Sequence, residues 1–147
     1  MGIGTVNDTI VFHVDNLNGT TSRPVALDVY DPHAGALVVD IATGLDAAGP
    51  LGGLFTPAGI DYVLTNIGGE AIHWTAAVDY EQAFPVGVGP WVSMTTQDGT
   101  LEPGNSVNVT VSLNAEANKL GSGAYTAIVH LVNATVGNSQ GTTTRSV

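Results

Sequence analysis

The chain of 147 residues contains no cysteine. Disulfides, thiolate metal sites and a cysteine nucleophile are therefore excluded. It is also poor in cations: Arg23, Lys119 and Arg145 stand against 13 acids, for a formal charge of −10. Three cations cannot neutralise a phosphate backbone, so nucleic acid is not an expected partner. Attraction to an anionic membrane surface fails for the same reason. No apolar run approaches the roughly 18 residues that a spanning helix needs. Met1-Gly-Ile-Gly4 has neither a basic nor an apolar leader region, so no signal peptide is expected. His-Glu-x-x-His, Gly-x-Ser-x-Gly and P-loop patterns are all missing.

What is there is apolar residue at period two. Charged residues make up only 11% and hydrophobic ones 44%, a balance that gives a packed core rather than disorder. In Ser106–Leu113, Val107, Val109, Val111 and Leu113 alternate with Asn108, Thr110 and Ser112. That pattern predicts a half-buried strand. The same alternation marks Thr9–Val14, Pro24–Tyr30, Ile60–Asn66, Ala71–Val78 and Ala124–Asn133. Turn signals separate them: Asn18-Gly19, Asp31-Pro32, Gly68-Gly69, Asp98-Gly99, Pro103-Gly104 and Gly121-Ser-Gly123. One short helix is predicted, Ala115–Leu120, capped by Asn114. Many short strands without long helices predict an all-β antiparallel sandwich.

Two long loops are expected at Leu45–Gly59 and Asp79–Pro90. Loops on a rigid sandwich are where binding concentrates. Phe84, Val86 and Val88 alternate between Gly and Pro in the second loop and are the first candidate interface.

Residues 37–147 resemble the BACON-like immunoglobulin-fold domains of bacterial extracellular and phage-associated proteins. The stretches that carry the resemblance begin with Gly49-Pro-Leu-Gly-Gly-Leu-Phe-Thr-Pro57, Tyr62-Val-Leu-Thr-Asn-Ile-Gly68 and Trp74-Thr-Ala76. Trp91-Val-Ser-Met94, Gly99-Thr-Leu-Glu-Pro-Gly104 and Val107–Asn114 follow, then Leu120-Gly-Ser-Gly-Ala-Tyr125 and Gly141-Thr-Thr-Thr-Arg145. The resemblance implies a seven-strand immunoglobulin-like sandwich with Trp91 against the core, while the shared phase of Ile72, Trp74 and Ala76 places Trp74 there by spacing. It also links the chain to carbohydrate or surface attachment and to spacer roles. In that family the segment after Thr-Arg-x-Val continues with alternating apolar residues, so the final strand here is expected to be short.

The first 36 residues lie outside the resemblance and echo its end. Gly19-Thr-Thr-Ser-Arg-Pro-Val25 matches Gly141-Thr-Thr-Thr-Arg-Ser-Val147 at five of seven positions. Residues 1–36 thus read as an N-terminal hairpin, the last hairpin of an upstream domain. An isolated hairpin is marginal in water. Val25, Leu27 and Val29 are therefore the second candidate interface, docking in cis on residues 37–147 or in trans on a neighbouring subunit.

Chemistry finds little support. His13, His73 and His130 fall on the polar phase of three separate strands and read as solvated. Asp28, Asp31 and His33 gather near one turn, where a capped turn is the better reading than a cation site. Asp79 and Glu81 offer paired carboxylates but no cleft, so a solvated loop is the default reading. No catalytic, cofactor-binding or metal-binding residue is assigned, and no cofactor is expected. The expected function is non-enzymatic: a phage capsid decoration (cement) protein on the virion surface. Its partners would be capsid or self subunits in a homo-oligomer, without nucleic acid or membrane. The alternatives are a carbohydrate-binding or adhesin-like extracellular or cell-surface module, with a glycan as ligand, or part of a tandem array.

Overall fold

The computed structural model describes residues 4–13 and 20–29 as backbone and residues 33–147 with their side chains. The chain divides into two units, Met1–Pro32 and His33–Val147. The first holds β1 (Gly4–His13) and β2 (Thr20–Val29), paired antiparallel from Gly4↔Val29 to His13↔Thr20. The side chains of Val25, Leu27 and Val29 lie outside the described residues. So do the Asn18-Gly19 turn, the Asp28 side chain and residues 30–32 of the proposed acidic turn.

The second unit is an antiparallel β-sandwich, as the alternation predicts. Its strands are β3 (Leu37–Val39), β4 (Gly59–Asn66), β5 (Ile72–Tyr80), β6 (Val92–Met94), β7 (Asp98–Leu101), β8 (Ser106–Leu113), β9 (Ala127–Asn133) and β10 (Thr143–Ser146). They form two four-stranded sheets, β10-β9-β5-β7 and β3-β4-β8-β6. The inward residues of both sheets meet in one core. Tyr62 and Leu64 of β4, Ile72 and Trp74 of β5, Val109 and Val111 of β8, and Val129 and Leu131 of β9 are all buried there. Each such side chain contributes roughly 1.5–3 kcal/mol on leaving water, which is how period-two patterning becomes a fixed register.

Four expectations need correction. This unit has eight strands rather than seven, because β3 and β6 are three-residue edge strands too short to show a period. Asp98-Gly99 is not a turn: it opens β7, with Gly99 opposite Trp74. A Cβ on Gly99 would come within 3.0 Å of Trp74 Nε1, so glycine there admits the indole. The helix over Ala115–Leu120 shrinks to one 3₁₀ turn at Ala117–Lys119. Asn114 does not cap a helix proper, although its Oδ1 accepts from Glu116 N at 2.8 Å. Asp79 and Tyr80 belong to β5, so the second long loop starts at Glu81.

The unit boundary also falls four residues before the sequence-based one. His33–Ala36 packs with the sandwich: Gly69 N donates to Ala34 O at 3.3 Å, and Ala36 N to Asn66 Oδ1 at 3.1 Å.

Candidate interaction surface

The two ends of the sandwich are built differently. Where β4 and β9 finish, two buried asparagines close the end. Asn66 Nδ2 donates to Glu70 O at 2.7 Å and to Leu101 O at 2.9 Å. Its Oδ1 accepts from Ala36 N at 3.1 Å and Gly68 N at 3.0 Å. One amide therefore ties the incoming chain, the β4–β5 turn and β7 together, with every donor and acceptor used. Asn133 repeats the device on the other sheet, donating to Gln140 O at 3.1 Å and accepting from Thr135 N at 3.2 Å. In the sequence, the signal for both is an Asn that ends an apolar alternation just before a turn.

The echoed residues brace the strand that follows. Gly141 has φ +84°, and a Cβ there would come within 1.6 Å of Leu37 O. Thr142 Oγ1 accepts from Asn133 N at 3.1 Å. Arg145 donates to Thr143 Oγ1 at 2.6 Å and to Ile41 O at 2.9 Å, and its guanidinium lies 5.9 Å from the Tyr62 ring centre. Burial pushes the Tyr62 phenol up from its ordinary pKa, and the Arg145 charge opposes that.

The opposite end, where β5, β8 and β10 finish, carries the loops. The three residues offered as one interface separate here. Val86 is fully exposed. Phe84 is 39% exposed and packs edge-to-face on Tyr80, with ring centres 4.8 Å apart. Val88 packs against the core instead of projecting with them. The cause is a tether, since Gly89 N donates to Glu116 Oε2 at 2.8 Å and pulls the end of the loop inward. Lys119 Nζ pairs with the other oxygen of Glu116. These two contacts lower the Glu116 pKa, the lysine contact more. Leu51 and Leu54 of the first long loop are also exposed.

Between these loops and β10 lies a groove of about 600 Å³. Leu45–Gly49 and Gly123–Thr126 line it, together with Phe55, Trp91, Leu113, Leu120 and Val147. Trp91 is buried, with its ring centre 5.5 Å from that of Tyr80. Both tryptophans therefore sit in the core, and neither offers a flat face for a sugar.

Titratable groups are scattered. His130 Nε2 lies 3.1 Å from Asp79 Oδ2 on the outer face of the β5–β9 pair, a contact that becomes an ion pair when the imidazole is protonated. That partnership corrects the reading of His130 as merely solvated, and Asp79 lies on β5 rather than in a solvated loop. Sequence could not show it, because the pairing register of β5 with β9 creates it. Among the described residues no group of three or more His, Asp or Glu is placed to hold a metal ion. No protein-family model and no curated protein matches the chain.

Proposed function

We propose that the chain is a non-enzymatic structural module, built to be joined end to end with units of its own kind. The observation that carries this reading is where the backbone passes through the sandwich. It enters at His33–Leu37, at the end closed by Asn66, and β10 runs out at the opposite end, where Val147 and Ala127 exchange two backbone bonds of 2.8 Å. A sandwich threaded from end to end transmits tension along its strands and stacks into a line, as repeat proteins do. The recurrence of Gly-Thr-Thr-x-Arg-x-Val at residues 19–25 and 141–147 supports the same reading. Joining a second copy of residues 26–147 directly after Val147 tests it by small-angle X-ray scattering. The maximum dimension should grow by about 30 Å, the length of a nine-residue strand at ~3.3 Å per residue. A compact particle with no such growth overturns the reading.

Capsid decoration in a homo-oligomeric or capsid-bound setting is the second reading. Exposed Leu54 and Val86 at the loop-bearing end favour it, since apolar side chains offered this way suit a protein partner. Cosedimentation with capsids lacking the protein would support it, and its absence would remove it.

A further inference from the structure

A strap crosses the side of the sandwich between β3 and β10. β3 is the edge of one sheet and β10 the edge of the other, and residues 40–45 pass from the first to the second. Asp40 N donates to Val63 O at 2.9 Å, which fixes the start of the strap on β4. Leu45 N donates to Ser146 O at 2.9 Å, which fixes its end on β10, and the Leu45 side chain is buried. A Cβ on Gly44 would run into Ser146 O, so glycine lets the strap lie against that strand. Residues 40–43 between these anchors are exposed.

What the strap covers is strand backbone. Val147 and Ala127 exchange two backbone bonds, and Arg145 lies opposite Val129. Alternation in an antiparallel pair then turns the backbone groups of Thr144 and Ser146 away from β9, to the outer edge of β10. There Ser146 O is met by Leu45 N, and Thr144 O by Arg145 Nη1 at 2.8 Å. A strand edge left bare accepts a strand from another chain.

Two side chains of the sandwich hold the middle of the strap. Arg145 Nε donates to Ile41 O at 2.9 Å, and the Tyr62 hydroxyl donates to Thr43 O at 3.1 Å. Arg145 thus serves the strap and the β10 edge together. Against these contacts stands the backbone of Ile41. Its φ is +63°, and among the described residues no other non-glycine residue has a positive φ. A β-branched side chain is disfavoured there, so the closed strap carries strain at its centre. The Ile41 side chain is itself exposed, so little packing offsets that strain.

We propose that residues 40–45 form a releasable latch over the β10 edge, with Arg145 as its catch and the strained Ile41 backbone favouring release. The latch opens as a unit while both sheets stay paired, and opening bares the outer edge of β10.

Native-state hydrogen exchange of the full chain tests this at the Leu45 amide. The Asn66 amide, which donates to Asn105 O at 3.0 Å, serves as the reference for the sandwich. Arg145→Met should quicken Leu45 exchange about tenfold or more and leave Asn66 within about twofold. Ile41→Asn suits the left-handed backbone and should slow Leu45 exchange about fivefold. Ile41→Val keeps the β-branch and should leave the rate unchanged. Equal acceleration of Leu45 and Asn66 in Arg145→Met overturns the proposal, since the strap would then open only with the whole sandwich. So does an unchanged Leu45 rate in that variant. Equal Leu45 rates in Ile41→Asn and Ile41→Val overturn the part given to the strain, whatever Arg145→Met does to folding.

Discussion

The two ends of the sandwich meet the same need to different degrees. At both ends strands stop and their backbone groups need partners. The end containing Asn66 meets that need with side-chain amides, each serving several backbone groups of neighbouring segments. At the loop-bearing end the Glu116 carboxylate holds Gly89 N, side chains of Asn114, Tyr80 and Gln82 serve other backbone groups, and an apolar groove lies beside β10. A closed polar network makes a finished end. An apolar groove leaves the other end less fully packed.

The contrast breaks most severely at Asn66. Asn66→Ala would leave Ala36 N, Gly68 N, Glu70 O and Leu101 O without their buried partner. With about 1 kcal/mol or more lost at each, a total of roughly 3–5 kcal/mol is expected from urea unfolding. A loss under about 1 kcal/mol would mean that the network does not hold this end.

At the other end the effects should be unequal within one loop. Val88→Ser is expected to cost about 1–2 kcal/mol, because Val88 packs on the core. Val86→Ser should stay within about 0.5 kcal/mol, because that side chain is fully exposed. Equal costs at the two sites would show that the loop moves as one piece.

The smallest effect belongs to the tether. Contacts with Lys119 and Gly89 N hold the Glu116 pKa below its ordinary value in the folded chain. Its contribution is therefore present above the unfolded pKa near 4.5 and disappears as pH falls through the lower folded value. Exchange at the Gly89 amide, corrected for the intrinsic rate, should quicken in that acid range. In Glu116→Ala it should already be fast at neutral pH and show no such step.

Much of the fold was legible because alternation is local. Ile72, Trp74 and Ala76 read as one inward face from their spacing, and β5 buries all three. Short edge strands escaped that reading. β7 also escaped it, because Asp98-Gly99 carries turn residues while its place is set by Trp74 on the neighbouring strand. The candidate surface was less legible. Phe84, Val86 and Val88 share a phase in sequence, yet Glu116, distant along the chain, decides which of them turns inward.

The sequence by itself determined the strand count to within short edges, the inward faces of β4, β5, β8 and β9, and the recurrence that relates the two hairpins. Period and composition carry that information residue by residue. Only tertiary structure decided that two asparagines close one end, that His130 meets Asp79, and that a groove opens beside Val147. Each of these depends on residues far apart in the chain meeting through sheet register. No local pattern encodes such a meeting, since the register becomes fixed only when both sheets bury their faces together.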